Sequence, residues 1–231
     1  MTLLQLGIGT VNDVADAPFD AGRKPGKPIP AGLVEAGAAR RFAVASFVAG
    51  VTVAATVSTG VAALAILVVG IGLAYDLRLK GTEWSWLPFA VGIPILPVYG
   101  WLGARGGLEP PFWVLVPAAV AAGAALAISN SLVDIERDRA SGRTSVAARL
   151  GRVRAGRLAA ALYLAVAALD VVSIGGSAPG AAGLASLVAV SIPALAALLT
   201  VGRPALAEGA WRIEAISMAS AAVAWFAAVF R

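Results

Sequence analysis

Long apolar stretches separated by short polar loops run through almost the whole chain of 231 residues. A helix needs about 20 apolar residues to cross a hydrocarbon layer of about 30 Å. The sequence therefore predicts an all-α fold with seven membrane-spanning helices, at residues 42–58, 59–75, 86–102, 112–133, 155–172, 180–201 and 212–230. Residues 1–11 make up only about half a span, so they are expected to form part of a further helix.

The first two predicted spans form one continuous apolar run that is interrupted only by Ser58, Thr59 and Gly60. A single helix of this length would extend well beyond the membrane. Glycine favours tight turns between periodic segments. Two short spans joined by a hairpin at Gly60 are therefore predicted.

The composition agrees with a membrane protein. Apolar residues make up 59% of the chain and charged residues only 13%, whereas soluble domains carry about 25% charged residues. Histidine and cysteine are absent, which excludes cysteine-based zinc sites, thiol nucleophiles and Ser-His-Asp catalysis. The net charge of +5 does not indicate a nucleic-acid partner, because the basic residues lie between spans that would contact the lipid bilayer.

The basic residues define the topology. If the predicted spans alternate in direction, all of the 18 lysines and arginines except Arg105 and Arg231 lie on one face, and positive loops are cytoplasmic. We predict a multi-pass protein of the cell membrane whose active site faces the cytoplasm. Asp170 and Glu214 lie near the ends of their predicted spans, where an interfacial, water-facing carboxylate is expected; a proton path is the alternative.

Two acidic windows stand out among only 13 acidic residues, and both lie on the predicted cytoplasmic face. The first window, residues 12–20, has aspartates at positions 13, 16 and 20, a spacing of i, i+3 and i+7. The second window, residues 130–138, has an amide at position 130 and aspartates at 134 and 138, a spacing of i, i+4 and i+8. Each set would line one face of a helix. The candidate metal ligands are Asn12, Asp13, Asp16, Asp20, Asn130, Asp134 and Asp138.

Carboxylates that face each other repel unless a cation lies between them. Mg²⁺ takes one or two carboxylates together with phosphate oxygens and water, so two such stripes are expected to hold Mg²⁺ around a diphosphate. Basic side chains accompany both windows and are expected to contact the phosphate oxygens, although the topology alone would also supply them. They are Arg23, Lys27, Arg78, Lys80, Arg139 and Arg143. Ordinary solvated loop residues are the alternative interpretation.

At these residues the chain resembles the UbiA superfamily of membrane prenyltransferases. The first family motif is similar to residues 12–20, with its basic-Pro tail at 27–32. The central Tyr…Lys motif resembles residues 75–81. The second motif resembles residues 134–138, with its downstream pattern at 138–143 and 149–151. The three motifs occur in the family's order, and the resemblance covers essentially the whole chain as a single domain, residues 1–231.

The resemblance implies nine helices around a central cavity and Mg²⁺ as the cofactor. It further implies transfer of a polyprenyl group from an allylic polyprenyl diphosphate to a lipophilic acceptor, either an aromatic ring or a hydroxyl group. The pattern looks more similar to the branch of geranylgeranylglyceryl phosphate and chlorophyll synthases than to the 4-hydroxybenzoate enzymes. The catalytic residues that the resemblance implies are Asp13, Asp16, Tyr75, Lys80, Asp134 and Asp138.

The chain departs from the family at its start, because the family's first helix and the outer half of its second have no counterpart. An N-terminally truncated domain with seven full spans and one partial span is therefore expected. Three alternatives remain: an acceptor-independent terpene cyclase of the same superfamily, a cation transporter, and a non-catalytic scaffold. A CDP-alcohol phosphotransferase is disfavoured because its Asp-Gly-x-x-Ala-Arg sequence is missing.

Overall fold

The computed structural model describes residues 1–22, 24–174 and 180–230. Helices dominate these ranges and no β-strand occurs in them, so the all-α prediction is confirmed. The helices are α1 (Thr2–Asp20), α2 (Ala36–Val57), α3 (Thr59–Ala74), α4 (Leu87–Arg105), α5 (Phe112–Val133), α6 (Ile135–Ala140), α7 (Val146–Leu150), α8 (Arg152–Ile174), α9 (Ala181–Gly202) and α10 (Ala207–Val229). A π-helical turn (Tyr75–Leu79) follows α3, and a 3₁₀ turn (Pro204–Leu206) precedes α10.

Within the described residues, seven helical segments are long and apolar enough to cross a membrane, as the sequence predicts. The predicted span at 112–133 coincides with α5, whereas α2 begins six residues before its predicted start at 42 and α10 five residues before its predicted start at 212. Short polar or basic stretches precede these two spans. A prediction that follows only the apolar runs leaves these stretches out of the spans, although their backbone is already helical.

The hairpin between α2 and α3 lies where it was predicted, but glycine is not its cause. Ser58 adopts an extended conformation between the two helices, and its hydroxyl accepts a hydrogen bond from the Val61 amide at 3.1 Å. Gly60 lies inside α3. A serine N-cap, which satisfies one of the amides left unpaired at a helix start, therefore ends one helix and begins the next.

The contacts divide the chain into two compact units, Met1–Lys80 with Pro97–Gly107, and Gly81–Leu96 with Leu108–Arg231. In the first unit, α1 packs against α2 and α3. Small residues allow this close approach: Phe47 lies over Gly7, Leu4 over Gly50 and Ile8 over Gly72, which is a common way to pack helices in membranes. The single-domain prediction stays a prediction.

In the second unit, α8 packs against α5 and α9, and α9 against α10. Two acidic side chains lie inside this bundle, which corrects the expectation that they face water. Glu214 is 1% exposed and accepts a hydrogen bond from the Tyr163 hydroxyl at 3.0 Å. Asp170 is 7% exposed and accepts one from the Ser186 hydroxyl, also at 3.0 Å. Polar groups inside a membrane bundle need such partners on neighbouring helices.

Gly123 of α5 lies directly against the backbone at the start of α4. A Cβ atom at this position would lie 3.1 Å from the Ala90 Cα atom and closer still to the Phe89 carbonyl. Because these are backbone atoms, a side chain could fit only if α4 moved away. We expect Gly123→Ala to cost about 1–3 kcal/mol through overpacking and to lower Tm by several degrees.

The matched control is Gly100→Ala in α4, where no atom lies within 4 Å of the added methyl group. This change should keep or raise Tm, since alanine is favoured over glycine in a helix by up to about 1 kcal/mol. Thermal unfolding in detergent micelles measures both effects. Equal Tm values for Gly123→Ala and the unaltered chain would contradict the expected clash.

Candidate active site

The first acidic window forms the last two turns of α1 and belongs to one continuous helix, as predicted. Its three carboxylates therefore share a face. Each of them pairs with a lysine: Lys27 binds Asp13, the Lys80 ammonium lies 2.5 Å from Asp16, and the Lys24 ammonium lies 2.8 Å from Asp20. Lys24 is absent from the predicted phosphate-binding residues, although it follows the first window directly and lies at the i, i+4 spacing from Asp20.

Two of these lysines come from different parts of the chain. Lys27 follows α1 in the adjoining loop, whereas Lys80 lies 64 residues beyond Asp16 and caps the π-helical turn. The Lys80 amide donates a hydrogen bond to the Tyr75 carbonyl at 2.9 Å, which is the i to i+5 pattern of a π turn. π turns are frequent at functional sites. The turn, which begins at Tyr75, brings Asp76 and Lys80 to the first acidic window, while Arg78 is exposed on it.

The lysines also determine the electrostatics of the window. The hydrogen bond from the Lys24 ammonium lowers the pKa of Asp20 below its ordinary value. The hydrogen bond to the Asp13 carboxylate raises the pKa of Lys27 above its ordinary value of 10.5. Both shifts favour the charged forms, so the window is a set of carboxylates each neutralised by a cation.

Asn12, the amide of the first window, donates a hydrogen bond to Asp76 at 2.7 Å. Asp76 is the second residue of the π turn and is 9% exposed. Asp76 is not among the site residues that the sequence predicts. Its position directly after Tyr75 was the available signal, but the π turn that directs it inward is not visible in the sequence.

The second acidic window differs from its prediction. The expected single helix face through Asn130, Asp134 and Asp138 is interrupted, because α5 ends at Val133 and Asp134 leaves helical geometry before α6 begins. Asp134 forms an ion pair with Arg137 at 2.7 Å. Asp138 is buried, and its carbonyl accepts a hydrogen bond from the Arg143 amide at 2.8 Å. The kink thus separates a partly exposed acidic group, Asp134, from a buried one, Asp138.

The segment after the second window folds back within its own unit. The Thr144 amide donates to the Gly81 carbonyl at 3.1 Å, and Arg149 pairs with Glu83 at 3.2 Å. Gly81 has a φ of +75°, and the Arg143 side chain lies against it, at 3.0 Å from the position of a Cβ atom. Only glycine combines that φ with so close a neighbour. Arg139 pairs loosely with Glu136 at 3.6 Å, and Arg23 lies outside the described residues.

No three side chains of Asp, Glu, His or Cys in the described ranges lie close enough together to hold a metal ion by themselves. Mg²⁺ commonly uses only one or two carboxylates and completes its shell with phosphate oxygens and water. The side chains of Asp13 and Asp16 are 34% and 19% exposed and already contact cations. Together with the neighbouring Asn12, their donor chemistry fits such an ion.

The family profile described as "UbiA prenyltransferase family" matches residues 1–230. The chain belongs to the UbiA prenyltransferase family. This membership confirms the predicted family and makes the chain a prenyltransferase, an enzyme that transfers a prenyl group from an allylic diphosphate to an acceptor.

A curated relative is the digeranylgeranylglyceryl phosphate synthase of Methanothrix thermoacetophila, which is 32% identical over 229 residues, covering 96% of this chain and 81% of the relative. A UbiA homologue from Aeropyrum pernix K1 has a similar fold, with a TM-score of 0.74 at 21% identity over 99% of this chain and 85% of that chain. A UbiA homologue from Archaeoglobus fulgidus, solved with DMAPP and Mg²⁺, has a TM-score of 0.70 at 16% identity, and the match covers 97% of this chain and 86% of that chain. The UbiA-like fold is thereby confirmed.

The raised pKa of Lys27 predicts a pH dependence. Stability from the pair with Asp13 is fully present below the ordinary pKa of 10.5 and is lost as the pH rises through the higher pKa of the folded state. Between pH 9 and pH 12, Tm of the unaltered chain should therefore fall by about 1–3 °C more than Tm of Lys27→Met, for a partly exposed pair.

The control is Arg212→Met, which removes an exposed pair with Glu208 at 2.5 Å but no group that titrates in this range. Tm of Arg212→Met should fall between pH 9 and pH 12 by as much as Tm of the unaltered chain. Scanning calorimetry in detergent gives the values. Parallel pH profiles for Lys27→Met and the unaltered chain would refute the proposed contribution.

Proposed function

We propose that this prenyltransferase uses Mg²⁺ and transfers a polyprenyl group to the hydroxyl of a phosphorylated glyceryl lipid, at the cytoplasmic face of the cell membrane. The proposal rests on the 32% identity to a digeranylgeranylglyceryl phosphate synthase across 96% of the chain. The pairing of each carboxylate of the first window with a lysine supports the same conclusion, because it provides anionic ligands and phosphate-binding cations in one place.

Asp13 and Asp16, with the amide oxygen of Asn12, are the proposed ligands of the ion in the first unit. Bound Mg²⁺ would supply positive charge to the departing diphosphate. Lys27 and Lys80 now neutralise these carboxylates, and we propose that their ammonium groups turn to phosphate oxygens once the carboxylates have another cation. A lysine ammonium suits this exchange, since it is a compact charge on a flexible stem.

The second window is proposed to serve the same reaction. Asp134, at the kink, and the buried Asp138 are its proposed metal ligands together with Asn130. Arg139 and Arg143 are proposed to contact phosphate. Asp20, Arg23, Tyr75 and Arg78 remain proposed site residues.

The reaction balances without any further reagent. The bond between the allylic carbon and the diphosphate oxygen breaks, and its electron pair leaves with the diphosphate. The acceptor hydroxyl oxygen then forms a new bond to the allylic carbon, and its proton ends on the released diphosphate. An aromatic acceptor would form a carbon–carbon bond instead, and a cyclase would need no acceptor.

The central prediction concerns the two aspartate windows. Asp13→Asn and Asp134→Asn should each reduce Mg²⁺-dependent release of pyrophosphate from geranylgeranyl diphosphate by about 100-fold or more, as the loss of a group that stabilises developing charge commonly does. Glu208→Gln, which alters an exposed carboxylate paired with Arg212, should keep normal turnover. Retained turnover in both aspartate variants would reject these windows as the site.

Product analysis in the same assay tests the acceptor. Membranes receive labelled geranylgeranyl diphosphate with geranylgeranylglyceryl phosphate, with an aromatic acceptor, or with none. We expect a labelled ether lipid only with the first. A labelled aromatic product would overturn the proposed acceptor class, and a labelled hydrocarbon without acceptor would identify a cyclase.

Lys80→Met provides a separate prediction about ion exchange. A divalent cation that binds Asp16 must displace the Lys80 ammonium, an interaction worth up to about 1 kcal/mol for a partly exposed pair. Without diphosphate, Lys80→Met should therefore bind Mn²⁺ about 2- to 5-fold more tightly, while its KM for the prenyl diphosphate rises. Arg212→Met should leave both values unchanged. Weaker Mn²⁺ binding in Lys80→Met would contradict the exchange.

A further inference from the structure

Asp76 is a buried carboxylate beside the first acidic window that no step of the proposed function uses. It lies in the π turn, is 9% exposed, and its Oδ1 atom accepts the hydrogen bond from the Asn12 amide at 2.7 Å. Its Oδ2 atom is buried and has no hydrogen-bond partner among the described residues. Burying a carboxylate is costly without compensation, so its position calls for a specific explanation.

The contact fixes the orientation of the Asn12 side chain. The nitrogen and oxygen of an amide are often hard to distinguish, and their assignment must follow from the hydrogen-bond partners. An ionised carboxylate only accepts hydrogen bonds, and in the structure it is the amide nitrogen of Asn12 that faces Asp76. The amide oxygen of Asn12 is then directed away from Asp76.

This orientation matters because only the oxygen of an amide binds a hard cation such as Mg²⁺. If the Asn12 amide rotated by half a turn, it would present its nitrogen to the ion and lose the ligand. Asn12 and Asp16 stand at i and i+4 of α1, so the Asn12 amide lies on the same helix face as this proposed ligand. A partner that excludes the wrong orientation therefore preorganises the site.

We propose that Asp76 is a positioning residue, which holds the Asn12 amide so that its oxygen is available to the metal ion. The inference rests on the proposed function, since it presupposes a divalent cation at the first window. Residues that orient metal ligands in this way typically change metal affinity by about 10- to 100-fold when they are altered. Asp76 reaches Asn12 across 64 residues of sequence, through the packing of α1 against the π turn.

The test is a double-mutant cycle read out by Mn²⁺ binding to the full chain in detergent, with and without inorganic pyrophosphate. Asp76→Ala and Asn12→Ala should each weaken Mn²⁺ binding by about 10-fold or more. The double variant should bind no more weakly than Asn12→Ala alone, because Asp76 acts through Asn12. Thermal unfolding of every variant separates loss of affinity from loss of fold.

The isosteric variant Asp76→Asn covers the case in which the alanine variant fails to fold. It keeps an acceptor but also allows the flipped amide, so its Mn²⁺ affinity should lie between those of the unaltered chain and Asn12→Ala. Asp170→Asn is the matched control, because Asp170 is also a buried carboxylate with a single donor, the Ser186 hydroxyl. It should leave Mn²⁺ affinity unchanged.

The possible outcomes are distinct. Unchanged Mn²⁺ affinity in both Asp76 variants would overturn this inference while leaving the metal proposal intact, and so would a lower Tm with unchanged affinity. Losses that add in the double variant would make Asp76 an independent ligand and overturn its positioning role. Absence of Mn²⁺ binding to the unaltered chain would overturn the metal proposal and this inference together.

Discussion

The structure of the first unit depends on the neutralisation of carboxylates at the end of an apolar helix. Asp13, Asp16 and Asp20 share one face of α1, and unpaired charges are expensive close to the hydrocarbon layer. Three lysines provide the counter-charge. Lys80 reaches Asp16 from the turn that follows α3, and α3 packs closely on α1, where Ile8 lies over Gly72. The packing of α3 on α1 and the neutralisation of Asp16 by Lys80 are therefore linked.

Local regularities in the sequence predicted most of the fold. Apolar runs located the seven spans, and α5 agrees with its prediction at both ends. The aspartate spacing of the first window correctly predicted one helix face, because α1 is a regular helix up to Asp20. The hairpin was placed correctly for the wrong reason, since Ser58 rather than Gly60 supplies the cap. The pattern of apolar residues locates the boundary between two helices. Which residue caps the helix there depends on the backbone conformation, which the pattern does not show.

The remaining features depend on contacts between distant residues. Glu214 is buried because Tyr163, 51 residues earlier, donates a hydrogen bond to it, and Asp170 has Ser186 as its partner 16 residues later. The break at Asp134 and the π turn at Tyr75 are departures from regular geometry. Neither departure changes the spacing of residue types along the sequence. A prediction from helical spacing alone therefore continued the helix face of the second window through the kink at Asp134, and it did not find Asp76.

Differences in burial indicate a division of roles in the first window. Asp13 and Asp16 keep 34% and 19% of their side-chain surfaces exposed and contact lysine ammonium groups, which is compatible with the proposed exchange of their cations. Asp76 is only 9% exposed and contacts an amide, which cannot leave without stranding a buried charge. If all these carboxylates were equally buried, the window would hold its lysines too firmly to admit another cation. If all were equally exposed, nothing would fix the amide of Asn12.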